Sequence, residues 1–225
     1  MNQIEYKSQI LLALFVSSMV IVNTLGAKIT TLFGFRVSVG IFFIPLLFLI
    51  TDIIGEVHGK KRAQFFVRVS SGILIFMFMM ILLCIKVPAN PSWGLQFEYE
   101  TIFGSSLRMI FASIVSFFIS QTYDVFAFDF WKSKTKGKHL WLRNNLSTMT
   151  SQLIDTTIFM FIAFYHMTPK FSTEFIISLI IPYWLFKIAF ALLDTPLCYL
   201  GVKWLRGDSL QEKRGLNQQG EKSVI

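Results

Sequence analysis

The chain has 225 residues, of which 54% are hydrophobic, 16% aromatic and only 15% charged, with a mean hydropathy of +0.59. So few charges cannot cover that much apolar surface in water, which excludes a soluble globular domain. The net charge of +8 is carried by cations gathered at the ends of apolar runs, where anionic lipid headgroups are their natural partners, so a nucleic-acid-binding role is excluded too.

Six apolar runs, at about 9–28, 37–57, 63–87, 105–129, 145–166 and 174–204, are each long enough to cross about 30 Å of hydrocarbon. The expected fold is an all-α membrane protein, with one six-helix transmembrane domain over residues 1–205. A polar, Gln- and Lys-rich tail over 206–225 is expected to be disordered. The first run carries Asn23 and Lys28 and lacks a small-x-small cleavage site, so it reads as a membrane helix and not as a signal peptide. Most of the 21 Lys and Arg residues fall on one side: Lys7, Lys60 to Arg62, the Lys132–Arg143 segment, and Lys203 onward. The other side holds Lys28, Arg36, Lys86, Arg108 and Lys170. By the positive-inside rule both termini are cytoplasmic.

In chain order, helix one has Asn23 as its strongly polar interior side chain. An amide in hydrocarbon needs partners for donor and acceptor, which either an interhelical hydrogen bond or a ligand can supply. Lys28 and Arg36 then frame a short outer loop. Helix two carries Pro45, which predicts a kink, and ends in Thr51-Asp52-Ile53-Ile54-Gly55-Glu56-Val57-His58-Gly59-Lys60-Lys61-Arg62. Asp52 and Glu56 are four residues apart and share a helix face. Glu56 has Lys60 within reach as a surface partner, whereas Asp52 has no cation within a turn.

Helix three places Arg68 about two turns in, where it either snorkels to the surface or neutralises Asp52; the pair is favoured. Its Met- and Phe-rich remainder reads as core or lipid-facing surface. The outer connection Lys86–Ser105, with Pro88, Pro91 and Trp93, reads as a lid or interface segment. Helices four and five contain an echo: Ser120-Gln121-Thr122-Tyr123-Asp124 returns as Ser151-Gln152-Leu153-Ile154-Asp155. In each, Gln and Asp at i,i+3 share a face. Asp155 falls near mid-span, on a ridge with Thr148 and Gln152. Helix six carries Pro182 and Pro196, with Trp184, Lys187 and Asp194 close to one face between them. Lys187 near the bilayer centre needs an acid, with Asp155 the first candidate and Asp194 the alternative.

Five acids (Asp52, Glu56, Asp124, Asp155, Asp194) and two cations (Arg68, Lys187) therefore occupy inner positions. At about 2.5–3.5 kcal/mol each, exposing all seven to lipid costs on the order of 20 kcal/mol, more than a fold can bear. They are expected to converge on an acid-rich cavity walled by aromatics. Acid, amide and aromatic ring are the groups that grip the hydrogen-bonding edge and flat face of a nucleobase. Enzyme motifs are missing. His58, His139 and His166 show no metal-ligand spacing, and neither a Gly-x-Ser-x-Gly elbow nor a Walker A loop occurs. Cys84 and Cys198 read as small buried hydrophobes. No cofactor is expected.

The helix-two motif Thr51–Lys61, Asn23, and the paired Ser-Gln-x-x-Asp motifs at Ser120–Asp124 and Ser151–Asp155 together resemble the queuosine precursor transporter (vitamin uptake transporter-like) family. The likeness covers about residues 8–205. It departs at His58, where the family pattern has Tyr. The resemblance implies import of 7-deazaguanine bases, queuine or its bacterial precursors, across the inner membrane for tRNA modification. It also implies a fold related to the substrate-binding subunits of energy-coupling-factor vitamin transporters. The alternative is such a subunit for another small vitamin, driven by a separate ATP-hydrolysing module. The expected substrate-lining residues are Asp52, Glu56, Gln121, Asp124, Gln152 and Asp155, with Asn23, Lys187 and Asp194 as second candidates. A homodimer is the expected assembly.

Overall fold

The computed structural model describes residues 3–135, 140–194 and 196–206. Six long helices account for most of them: α1 (Gln3–Leu25), α2 (Ile44–His58), α3 (Lys60–Lys86), α4 (Gln96–Lys134), α5 (Leu140–Phe164) and α6 (Thr173–Leu193). A shorter helix, α7 (196–206), follows α6. Among the described residues, five stretches are long and apolar enough to cross a membrane: Gln3–Leu25, Val39–His58, Lys60–Lys86, Gln96–Asp124 and Thr173–Phe190. The fifth expected run, in α5, has the length at 25 residues, but Thr148, Gln152, Asp155 and their neighbours dilute its apolar character. The protein is a multi-pass α-helical membrane protein.

Apolar side chains bury in two clusters at opposite ends of the bundle. Val37, Ile44, Met109, Met160, Phe164 and Leu179 pack at one end. Leu11, Phe15, Ile50, Ile54, Phe66 and Leu205 pack at the other. Large side chains such as Phe76, Met79, Leu83, Phe118 and Leu193 remain exposed on the outside. In water that exposure is unfavourable; against lipid tails it costs nothing.

Several expectations change in detail. The short loop framed by Lys28 and Arg36 is a β-hairpin, β1 (Ile29–Leu32) paired antiparallel with β2 (Phe35–Ser38), Leu32 opposite Phe35. Phe33 (φ 49) and Gly34 (φ 83) form its two-residue turn, with both central φ values positive as a type I′ hairpin requires. The chain is thus not entirely α. Pro45 does not kink α2; it occupies the first helical positions, after a 3-10 turn at Val39–Phe42, where the missing N–H has no partner to lose. The outer connection is shorter than Lys86–Ser105, because α4 already begins at Gln96. α6 continues through Pro182 and ends at Leu193, with Asp194 as its C-cap two residues before Pro196. The expected tail lies beyond the described residues.

α2 and α3 meet at Gly59 alone, whose φ of 82 turns the chain back sharply. α4 packs most extensively against α5. α1 and α4 approach closely where Met109 lies against Gly26, and Ser106 Oγ donates to the Thr24 carbonyl at 3.2 Å. On the other side of the bundle α7 packs on α2, with Gly201 directly beneath Ile53.

Candidate functional site

The clearest polar feature of the interior joins α5 to α6. Lys187 Nζ donates to Asp155 Oδ2 at 2.9 Å, with side-chain exposures of 11% and 21%. This is the partner expected for Lys187. In a low-dielectric setting neither charge is tolerable alone, so each residue's position is explained by the other. Lys187 Nζ also lies 5.9 Å from the centroid of the Tyr183 ring. Tyr183 is buried, with its phenol in hydrogen-bonding range of Ser38 at the end of the hairpin. Trp184 donates through Nε1 to the Met149 carbonyl at 3.1 Å, tying α6 to α5 one turn earlier.

A second group forms where α2, α6 and α7 meet. The carboxyl groups of Asp52 and Asp194 lie at hydrogen-bonding range of each other, and Cys198 sits in electrostatic range of Asp52, Asp194 and Glu56. Asp194 is 3% exposed, whereas Asp52 and Glu56 are exposed. The expected Arg68–Asp52 pair is not formed. Arg68 is exposed and bonds through Nε to the Gln64 carbonyl at 3.4 Å; its long side chain leans back along its own helix instead of crossing the hairpin. Nor do Glu56 and Lys60 share a helix, since Gly59 ends α2 between them.

Two of the remaining candidates, Asp124 and Asn23, tie helices together. Ser151 Oγ donates to Asp124 Oδ1 at 3.1 Å between α5 and α4. Ser113 Oγ donates to Asn23 Oδ1 at 2.7 Å, and Asn23 Nδ2 donates to the Met19 carbonyl at 2.9 Å. Both ends of the Asn23 amide are therefore engaged by the protein. Gln152 is half-buried and Gln121 exposed. A cavity of about 430 Å³ lies outside these groups, near the hairpin, lined by Arg36, Lys170, Phe171, Ser172, Glu174 and Phe175.

Sequence reasoning missed several polar partners. Ser38 and Ser113 gave no signal, because Ser is unremarkable in a membrane helix or loop. Thr156, beside Asp155, is 1% exposed with its hydroxyl unpartnered, an exception to the usual back-bond to the preceding turn. Arg108, assigned only to the outer side, donates through Nε to the Ile162 carbonyl at 2.6 Å and through Nη2 to the Tyr165 carbonyl. A guanidinium over the last carbonyls of α5 complements the negative helix terminus.

Long apolar helices, an ion pair between α5 and α6 and the buried carboxyl of Asp194 mark a polytopic membrane protein with polar groups in its interior. The chain matches the family described as "Putative vitamin uptake transporter" over residues 38–201. It belongs to that family. It is similar to a Bacillus subtilis (strain 168) protein named "Probable queuosine precursor transporter", 31% identical over 188 residues, which are 83% of this chain and 80% of the relative. It is also similar to the Escherichia coli (strain K12) protein named "Queuosine precursor transporter", 24% identical over 161 residues, or 70% of this chain and 69% of that one. No solved structure matches.

Proposed function

We infer that this chain imports queuosine precursors, 7-deazaguanine bases such as queuine or its bacterial precursors, across the bacterial inner membrane to supply tRNA modification. The observation that carries the reading is the Asp155–Lys187 pair, an acceptor and a donor 2.9 Å apart at mid-helix. The names of the two relatives support a planar 7-deazaguanine heterocycle as what it meets. A 7-deazaguanine keeps guanine's edge, with two adjacent N–H donors beside a carbonyl. Asp155 accepts from the N–H groups and Lys187 donates to the carbonyl, each exchanging its present partner for the base. Gln152, on the same face as Asp155, and the Asp124–Ser151 link flank this centre. The Tyr183 and Trp184 rings supply apolar walls. The cationic ends at Lys60–Arg62 and beyond Lys203 face the cytoplasm in this reading, against anionic headgroups, and the chain works as a homodimer.

Purified protein should gain thermal stability from a 7-deazaguanine and not from cytosine or thymine. Labelled queuine should accumulate in cells expressing the chain, and not in cells expressing Asp155→Asn. Stabilisation by every base alike, or undiminished uptake by Asp155→Asn, rejects the assignment. Uptake by the purified chain alone in liposomes separates it from a binding subunit that needs an ATP-driven module.

A further inference from the structure

The contact between Asp52 and Asp194 brings two acceptors together, with no donor between them among the described residues. Asp194 is 3% exposed, and its Oδ2 has no hydrogen-bond partner among the described residues. The group facing it is another carboxyl, that of Asp52. Two carboxylates at this range repel each other, and one proton shared between them would supply the missing donor and remove the repulsion.

Among the described residues, the ion pairs Arg62–Glu5 and Lys187–Asp155 involve neither Asp52 nor Asp194. On α2, Glu56 adds further negative charge, and on α7 Cys198 is a neutral thiol in range of all three acids. Lys187 of α6 is held by Asp155. Arg206 of α7 donates to the Glu56 backbone carbonyl at 3.0 Å. Arg62 of α3 pairs with Glu5 of α1 at 3.2 Å, Arg68 turns to the Gln64 carbonyl, and Lys7 of α1 donates to the Trp204 carbonyl at 2.9 Å. His58, at the end of α2, bonds Ser8 at 2.8 Å.

We propose that Asp52 and Asp194 together hold one exchangeable proton, and that its binding and release couple transport by this chain to the proton gradient. Asp52 is the exposed member of the pair and Asp194 the buried one. With the proton in place, one hydrogen bond ties α2 to the end of α6. Without it the pair carries two negative charges, and they repel across the break at Asp194. Lys187 lies seven residues earlier, two turns up the same face of α6. A movement at Asp194 therefore reaches the Asp155–Lys187 pair through one rigid helix. The shared proton rests on the contact between the two carboxyls and on the buried, unpartnered Oδ2 of Asp194, whereas its coupling to import rests on the transporter reading above.

Infrared spectroscopy of the purified full chain tests the first part without any substrate. At neutral pH the wild type should show a protonated-carboxyl band that titrates with pH, disappears in Asp194→Asn and shifts its titration in Asp52→Asn. No such band, or one unchanged in both variants, overturns the proposal. In proteoliposomes, an inward proton gradient should speed queuine uptake several-fold, and a protonophore should remove the gain. Uptake that ignores the gradient overturns the coupling. Failure to take up queuine at all rejects the substrate reading instead, and the infrared band then decides the proton site by itself.

Discussion

Lys187 Nζ stands 2.9 Å from Asp155 Oδ2 and joins α6 to α5 by the interior ion pair of the bundle. Removing one partner of a buried pair leaves an uncompensated charge at a cost of about 3–5 kcal/mol, whereas replacing both with apolar side chains is often neutral or stabilising. Asp155→Asn and Lys187→Met should each lower the melting temperature markedly. The double variant Asp155→Leu/Lys187→Met should recover it, and all three should lose queuine uptake. Recovered stability together with intact uptake means the pair is structural only.

Arg108 closes the end of α5 by donating to the Ile162 and Tyr165 carbonyls. Hydrogen bonds from a charged donor contribute about 1.5–3 kcal/mol. Arg108→Met keeps the apolar stem and removes the donors, so thermal unfolding should report a loss of that order. Proteolysis should show the segment after Phe164 opening first. A melting temperature unchanged from wild type counts against the cap.

At Gly201 an added Cβ comes within 2.1 Å of Ile53 Cδ1. Overpacking of this kind typically costs about 1–3 kcal/mol. Gly201→Ala should therefore destabilise, and because Ile53 Cγ1 also lies at 2.7 Å, Ile53→Ala, which removes both atoms, should make the loss in the double variant smaller than the sum of the two single losses. Two effects that simply add would show that α7 does not sit on α2 in this way.

Asn23 tests the opposite expectation. Its amide is bonded to Ser113 and to the Met19 carbonyl, and such interhelical hydrogen bonds average about 0.6 kcal/mol in membranes. Asn23→Ala should lower stability slightly and leave the concentration dependence of uptake unchanged. A large rise in the queuine concentration needed for half-maximal uptake would make Asn23 a substrate ligand after all.

What could be read in advance followed from the cost of charge in hydrocarbon. Lys187 needed an acid at its own depth, and Asp155 on the preceding helix offered one; the ion pair follows. The same logic failed for Asp52. The nearest cation, Arg68, looked like its partner, yet Arg68 has a route to the surface that Lys187 lacks, and Asp52 meets a second acid far along the chain. No local pattern announces a contact between like groups. Backbone events were legible where the rule was local and unfavourable, as at Pro196, and misread where context reversed it. Pro45 is tolerated without a kink because it begins α2. The hairpin escaped notice because its turn is Phe33-Gly34 and not the Asn-Gly or Asp-Gly that usually marks such turns.

The cap on α5 has a mechanical consequence. Arg108 pins the far end of that helix to α4, Ser151 and Asp124 bolt the two together further along, and their shared face is the most extensive in the molecule. α4 and α5 are thus fastened to each other at two levels, and the Asp155–Lys187 pair is where α6 is tied to that double rib.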